Sequence, residues 1–190
     1  MKKNNMIFWA MVFCTFSTIG SRAQTITHRD ALVYYTGIAL QVKEIVPKVR
    51  DVWGRVQLSL MAARESQTFR ANPFDISSLK NAYAQNLRDL DRSIRTVNAL
   101  EETDSEINLK KVVDVYLTDI KQAEEAALPK IISLLENGVN KINDQQTTML
   151  KGFLYKGQEL QTGLRTIENL LATYQRKYNI TGEEMRMFGL

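Results

Sequence analysis

The reactive side chains of this chain are few. It holds one histidine, His28, and one cysteine, Cys14. A di-iron carboxylate centre needs Glu-x-x-His on two helices, and the residue three before His28 is Thr25. Covalent haem needs Cys-x-x-Cys-His, which the chain lacks. His28 could pair with a methionine around a non-covalent haem, but it stands beside Thr27 and Asp30, where a first-turn, solvated residue is expected. Nothing near it in sequence supplies a serine elbow for a triad. No catalytic residue, cofactor or metal is therefore expected.

Acidic pairs occur at Glu101-Glu102, Glu124-Glu125 and Glu183-Glu184. Neighbours on a helix point about 100° apart and do not face one another. They read as solvated or capping groups rather than a general acid and base.

Arginines are better organised. Arg88, Arg92 and Arg95 share one helical face, a pattern that could grip an anionic polymer or lipid head group. Asp91 stands three and four residues from Arg88 and Arg95, so a salt-bridged, solvated face is the plainer expectation. Tyrosines recur along the apolar lines, among them Tyr35, Tyr83, Tyr116, Tyr155, Tyr174 and Tyr178, with Trp53. Core packing explains them. The sharper alternative is an aromatic-lined cavity for a small ligand near Trp53, Tyr83 and Tyr116. Met187 and Phe188 close the chain in an apolar segment that either docks on the bundle or presents a hook to a partner.

The N-terminus carries an address. Lys2 and Lys3 precede an apolar run from Met6 to Ile19, followed by Ser21-Arg22-Ala23. A positive start, an apolar middle and a small-residue cut site make a secretory signal peptide. The run is shorter than the ~20 residues of a membrane-spanning helix. Cleavage is expected after Ala23, giving a signal peptide over 1–23 and one domain over 24–190. Cys14 lacks the small-residue box of a lipoprotein. Asn179-Ile180-Thr181 matches a glycosylation sequon, although Thr181 is also placed to cap a helix.

Cutting there changes the chemistry. The full chain has 25 basic and 21 acidic residues, net +4. Lys2, Lys3 and Arg22 leave with the signal and no acid does, so the mature net charge is +1. A nearly neutral chain has no field for nucleic acid. The mature chain has no thiol, hence no disulfide to brace it.

The elements that position these residues are helices. Only three prolines are present, Pro47, Pro73 and Pro129, and glycine is sparse. Apolar residues step by three and four from Leu32 through Tyr35, Ala39, Val42, Val46, Val49, Trp53, Val56 and Leu60 to Ala63, with Ile38, Ile45 and Val52 widening the stripe. That width suits a bundle rather than a two-stranded seam. Thr27 with Asp30 resembles a capping box. A second helix follows Asn72-Pro73, with Asp75 as the expected N-cap and Phe74 with Leu79 as a hydrophobic staple. A third opens at Thr103-Asp104-Ser105-Glu106 and ends near Asn137-Gly138. A fourth runs from Val139 or Asn143 to Tyr178, with Gln146 as a polar register device. A short fifth starts at Thr181.

These predict an all-α, elongated, up-down-up-down four-helix bundle with a short C-terminal helix. Helices of roughly 30 to 37 residues, rising ~1.5 Å each, would be about 45 to 55 Å long. Consecutive four-residue steps such as 79-83-87 and 123-127-131 should leave the bundle nearly straight. The expected function is a non-enzymatic binding or structural module of the cell envelope, periplasmic or extracellular, with an envelope protein as partner and no transmembrane segment after cleavage. The alternative is a soluble ligand carrier or sensor.

Overall fold

The computed structural model describes residues 26–66 and 68–190. The signal peptide and its cut site lie outside the described residues. Five helices follow in order among those described: α1 (His28–Glu65), α2 (Pro73–Ala99), α3 (Leu109–Asn137), α4 (Asp144–Lys177) and α5 (Gly182–Met187). The four long ones pack on each other as an all-α bundle.

Cross-helix pairs fix the directions. Lys48 meets Asp89 and Arg55 meets Ser78, so α1 and α2 run antiparallel. Asn98 donates to Asp114, Lys121 pairs with Asp91, and Asn86 donates to Glu124, which sets α2 antiparallel to α3. Trp53 stacks on Phe153 and Tyr35 on Tyr174, giving the same relation between α1 and α4. α1 and α3 lie parallel across the core, joined at Tyr34 to the backbone N–H of Lys110 and at Trp53 to Glu124. This is the up-down-up-down order.

Each helix start has a local cause. Thr27 caps α1, accepting from the N–H of Asp30. Asn72, rather than Asp75, caps α2, because Pro73 occupies the first helical position where a missing N–H costs nothing. Phe74 is 79% exposed and forms no staple. α3 begins at Leu109, later than the Thr103 motif suggested. Asp104 instead accepts from the N–H groups of Glu106 and Ile107 in the preceding turn, and Asn108 enters the helix with φ +54°. Short polar side chains favour such turns over helix interiors. Asn143 and Gln146 form a reciprocal capping box at α4, so Gln146 serves the helix start and not the core register. Thr181 and Glu184 do the same for α5.

Pro47 and Pro129 both lie inside helices that continue through them. The α1–α2 connection is zipped onto the end of α3, with Ala71 donating to Leu135 and Val139 to Thr68. Gly138 has φ +69°, and a Cβ there would sit 2.8 Å from the Thr68 carbonyl oxygen. Only glycine fits that crossing.

Candidate functional site

The middle of the bundle holds a buried acid. Glu124 on α3 is fully buried and Asn86 on α2 is 1% exposed. Asn86 donates its Nδ2 to both carboxylate oxygens at 2.9 Å. Trp53 of α1 donates its Nε1 to Oε1 at 3.0 Å. The indole is pinned from below by α4. Its ring lies 4.0 Å from that of Phe153, and a Cβ on Gly157 would come within 2.8 Å of it. All four long helices thus meet at one polar point.

The electrostatics are unusual. Burial pushes the Glu124 carboxyl up to about 7, and the bonds from Asn86 and Trp53 only partly oppose this. Both donors are neutral, so among the described residues no cation holds the carboxylate charged. Tyr83, half-buried nearby, is raised by its own burial and by the charges of Glu124 and Glu125. A general base must reach its substrate, and Glu124 has no exposed surface. The arrangement can store a proton and fix the register of four helices. Among the described residues, Asn86 Oδ1 in the same cluster is buried with no hydrogen-bond partner.

A second cluster closes the end of the bundle where α1 starts. Tyr174 is fully buried, with its ring 5.3 Å from Tyr34, 6.2 Å from Tyr35 and 4.5 Å from Tyr178. Its burial pushes the phenol up to about 12. Tyr34 donates to Glu102 at 2.6 Å. Buried Asp104 accepts from Lys177 at 2.7 Å and from the Tyr178 hydroxyl at 3.1 Å. Burial alone would raise Asp104, but these bonds and two backbone N–H groups outweigh it and hold the carboxyl below its ordinary value. His28 belongs here too, with a bond on each ring nitrogen, to the Tyr178 carbonyl and to Glu184.

The residues singled out in sequence fall in three places. Trp53 and Tyr83 flank Glu124, while Tyr116, nearer the start of α3, packs on Gly163 of α4. Arg88, Arg92 and Arg95 are all exposed on α2. Asp91 does not pair with Arg88 or Arg95, as their spacing suggested, because Lys121 of α3 takes it at 2.7 Å. Arg88 reaches Gln85, and Arg92 lies 3.5 Å from Asp89. Met187 and Phe188 are 73% and 43% exposed at the C-terminus.

The expectation that Glu124 is a solvated half of an acidic pair is corrected by its full burial. Its signal was a helical line from Leu117 through Ile120, Glu124 and Leu128 to Ile131, whose four apolar members are fully buried. An acid completing an otherwise apolar line is the mark of a buried one.

Open grooves flank the bundle among the described residues. One of about 310 Å³ lies between Arg70, Ile76, Lys80 and Glu136. Another, about 450 Å³, is lined by Lys130, Leu134, Gly138, Gln146 and Met149. Neither includes Trp53, Tyr83 or Tyr116. Among the described residues, no helix is long and apolar enough to cross a membrane, and no group of three or more His, Cys, Asp or Glu side chains is placed to hold a metal. No protein-family model, curated protein or solved structure matches this chain.

Proposed function

We propose that this chain is an exported, non-enzymatic helical module that binds a protein of the cell envelope through its outer surface. The observation that carries the reading is the contrast between interior and exterior along the α1–α4 seam. Inside, Trp53 is stacked on Phe153 and approached closely by Gly157, so its ring is engaged in core packing. Outside, Leu58, Met61 and Leu154 are exposed. In the antiparallel register set by Trp53 and Phe153, helical periodicity turns Met61 and Leu154 to the flank of that seam and Leu58 further round onto the outer face of α1. Apolar side chains gathered on a surface suit a protein contact.

The test has two parts. Fractionation of cells making the full chain, with mass spectrometry of the exported form, should find an N-terminus at Gln24 outside the cytoplasm. Cross-linking in the same cells should capture one envelope partner, and the double substitution Leu58→Glu with Met61→Glu should lose it while helicity is kept. A full-length chain in the cytoplasm would defeat the export half. A small ligand co-purifying with the protein, with no partner captured, would favour a carrier instead.

A further inference from the structure

We propose that His28, as an imidazolium, latches the C-terminal segment 182–190 onto the start of α1, and that losing the proton releases it. The geometry leaves the ring no other satisfied state. Nδ1 stands 2.9 Å from the Tyr178 carbonyl oxygen and Nε2 stands 2.7 Å from Glu184 Oε1. Both partners are acceptors only. A neutral imidazole carries one N–H, so one ring nitrogen would turn a lone pair toward an oxygen. The cation alone donates to both.

The charged neighbours agree. From α5, Glu184 is the carboxylate on the ring, itself fixed by the N–H and hydroxyl of Thr181. The Glu184 carboxyl is held down to about 2, first by His28 and then by Thr181. Glu183 and Arg186 share that short helix. From the end of α4, Lys177 is taken up by Asp104 and Glu106. On His28's own first turn, the Asp30 carboxylate accepts from the Thr27 hydroxyl. His28 is raised above its ordinary value by the Glu184 bond first and the Tyr178 carbonyl second.

Among the described residues, the other fastenings of the segment are two hydrogen bonds and the edge packing of two apolar side chains. α5 buries none of its residues. Ile180, just before it, is buried and bonded to Gln175 in both directions. Among the described residues, the hydrogen bonds from beyond Ile180 to the rest of the bundle are His28 to Glu184, the Tyr35 hydroxyl to Met185 Sδ at 3.3 Å, and Lys43 to the Gly189 carbonyl, and Met185 and Leu190 add partly buried apolar packing against the core. A six-residue helix that buries none of its own side chains opens locally at low cost. Docking is at full strength below the ordinary imidazole value of about 6.5 and weakens as pH rises through the elevated one.

His28 is the sole histidine, so its Hε1 resonance can be followed alone by NMR. The expected result is a titration above 6.5, with the backbone amides of 182–190 losing rigidity at the same midpoint. Glu184→Gln should return the histidine toward 6.5. His28→Arg, permanently charged, should keep the segment ordered through pH 9, and His28→Phe should leave it mobile at every pH. Circular dichroism of each variant reports whether the bundle is intact. A segment that stays rigid while His28 titrates, or a His28 titration at or below 6.5, would overturn the latch.

Discussion

Trp53 and Glu124 face each other across the parallel helices α1 and α3, the indole N–H donating to the carboxylate at 3.0 Å. Among the described residues, the tryptophan has no other polar partner, and the acid has no cation. With residues 1–23 removed, Trp53 is also the sole indole of the chain. Its fluorescence should follow the Glu124 proton, with a midpoint near the elevated value of about 7. Glu124→Gln should abolish that transition. A flat emission spectrum from pH 5 to 9 in the unsubstituted protein would show that the acid does not titrate there.

The same proton links to stability. Glu124 titrates at its ordinary 4.5 in the unfolded chain and at about 7 in the folded one. The folded state therefore binds the proton more tightly. Its contribution is whole below about 4.5 and is lost as pH climbs to about 7, a change on the order of 3 kcal/mol. Glu124→Gln carries no charge to desolvate. Its melting temperature should exceed that of the parent at pH 8, and the two should converge at pH 5.

Two glycines of α4 should respond oppositely to alanine. At Gly157 a methyl would meet the Trp53 ring at 2.8 Å, whereas at Gly152 it would meet nothing within 4 Å. Gly157→Ala should destabilise by about 1–3 kcal/mol through overpacking. Gly152→Ala should stabilise by about 0.5–1 kcal/mol, since alanine loses less backbone entropy in a helix. Urea unfolding of both variants measures the contrast.

Helix α2 offers a test of what begins it. Asn72 accepts from the N–H of Phe74, and Asp75 sits inside the first turn. Asn72→Ala should cost about 1 kcal/mol. Asp75→Ala should lose only its favourable position near the helix dipole, about 0.3–1 kcal/mol. Equal losses, or a larger one at Asp75, would return the cap to Asp75.

The helices themselves were legible, because apolar spacing and the Asn137-Gly138 and Thr181 signals report local geometry that tertiary contacts do not alter. Partner choice was not. Asp91 lies within reach of Arg88 and Arg95 along its own helix, yet Lys121 arrives from α3, and no local rule carries that information. The core face of α3 was read along Ala123 and Ala127 when Glu124 and Leu128 are the buried pair. Alanines fit either side of a stripe, so they do not fix its centre. His28 is exposed in the first turn, as its neighbours suggested, but its bonds to Tyr178 and Glu184 were not legible, because those partners are about 150 residues away along the chain.

Asp104 and Glu106 share one lysine but differ in burial. Lys177 reaches Asp104 at 2.7 Å and Glu106 at 3.0 Å; the first side chain is 2% exposed and the second 85%. Asp104 also accepts from the Tyr178 hydroxyl and two backbone N–H groups. Asp104→Asn keeps the shape and removes the charge, which should cost about 1.5–3 kcal/mol at pH 7. Glu106→Gln breaks an exposed pair and should cost at most about 1 kcal/mol. Because the folded Asp104 carboxyl lies below its ordinary value, its stabilisation is present above about 3.8 and is lost as pH falls through the depressed one. Urea midpoints of the parent and Asp104→Asn should therefore differ at pH 7 and draw together in strong acid. A gap unchanged by acid would assign Asp104 a role of shape alone.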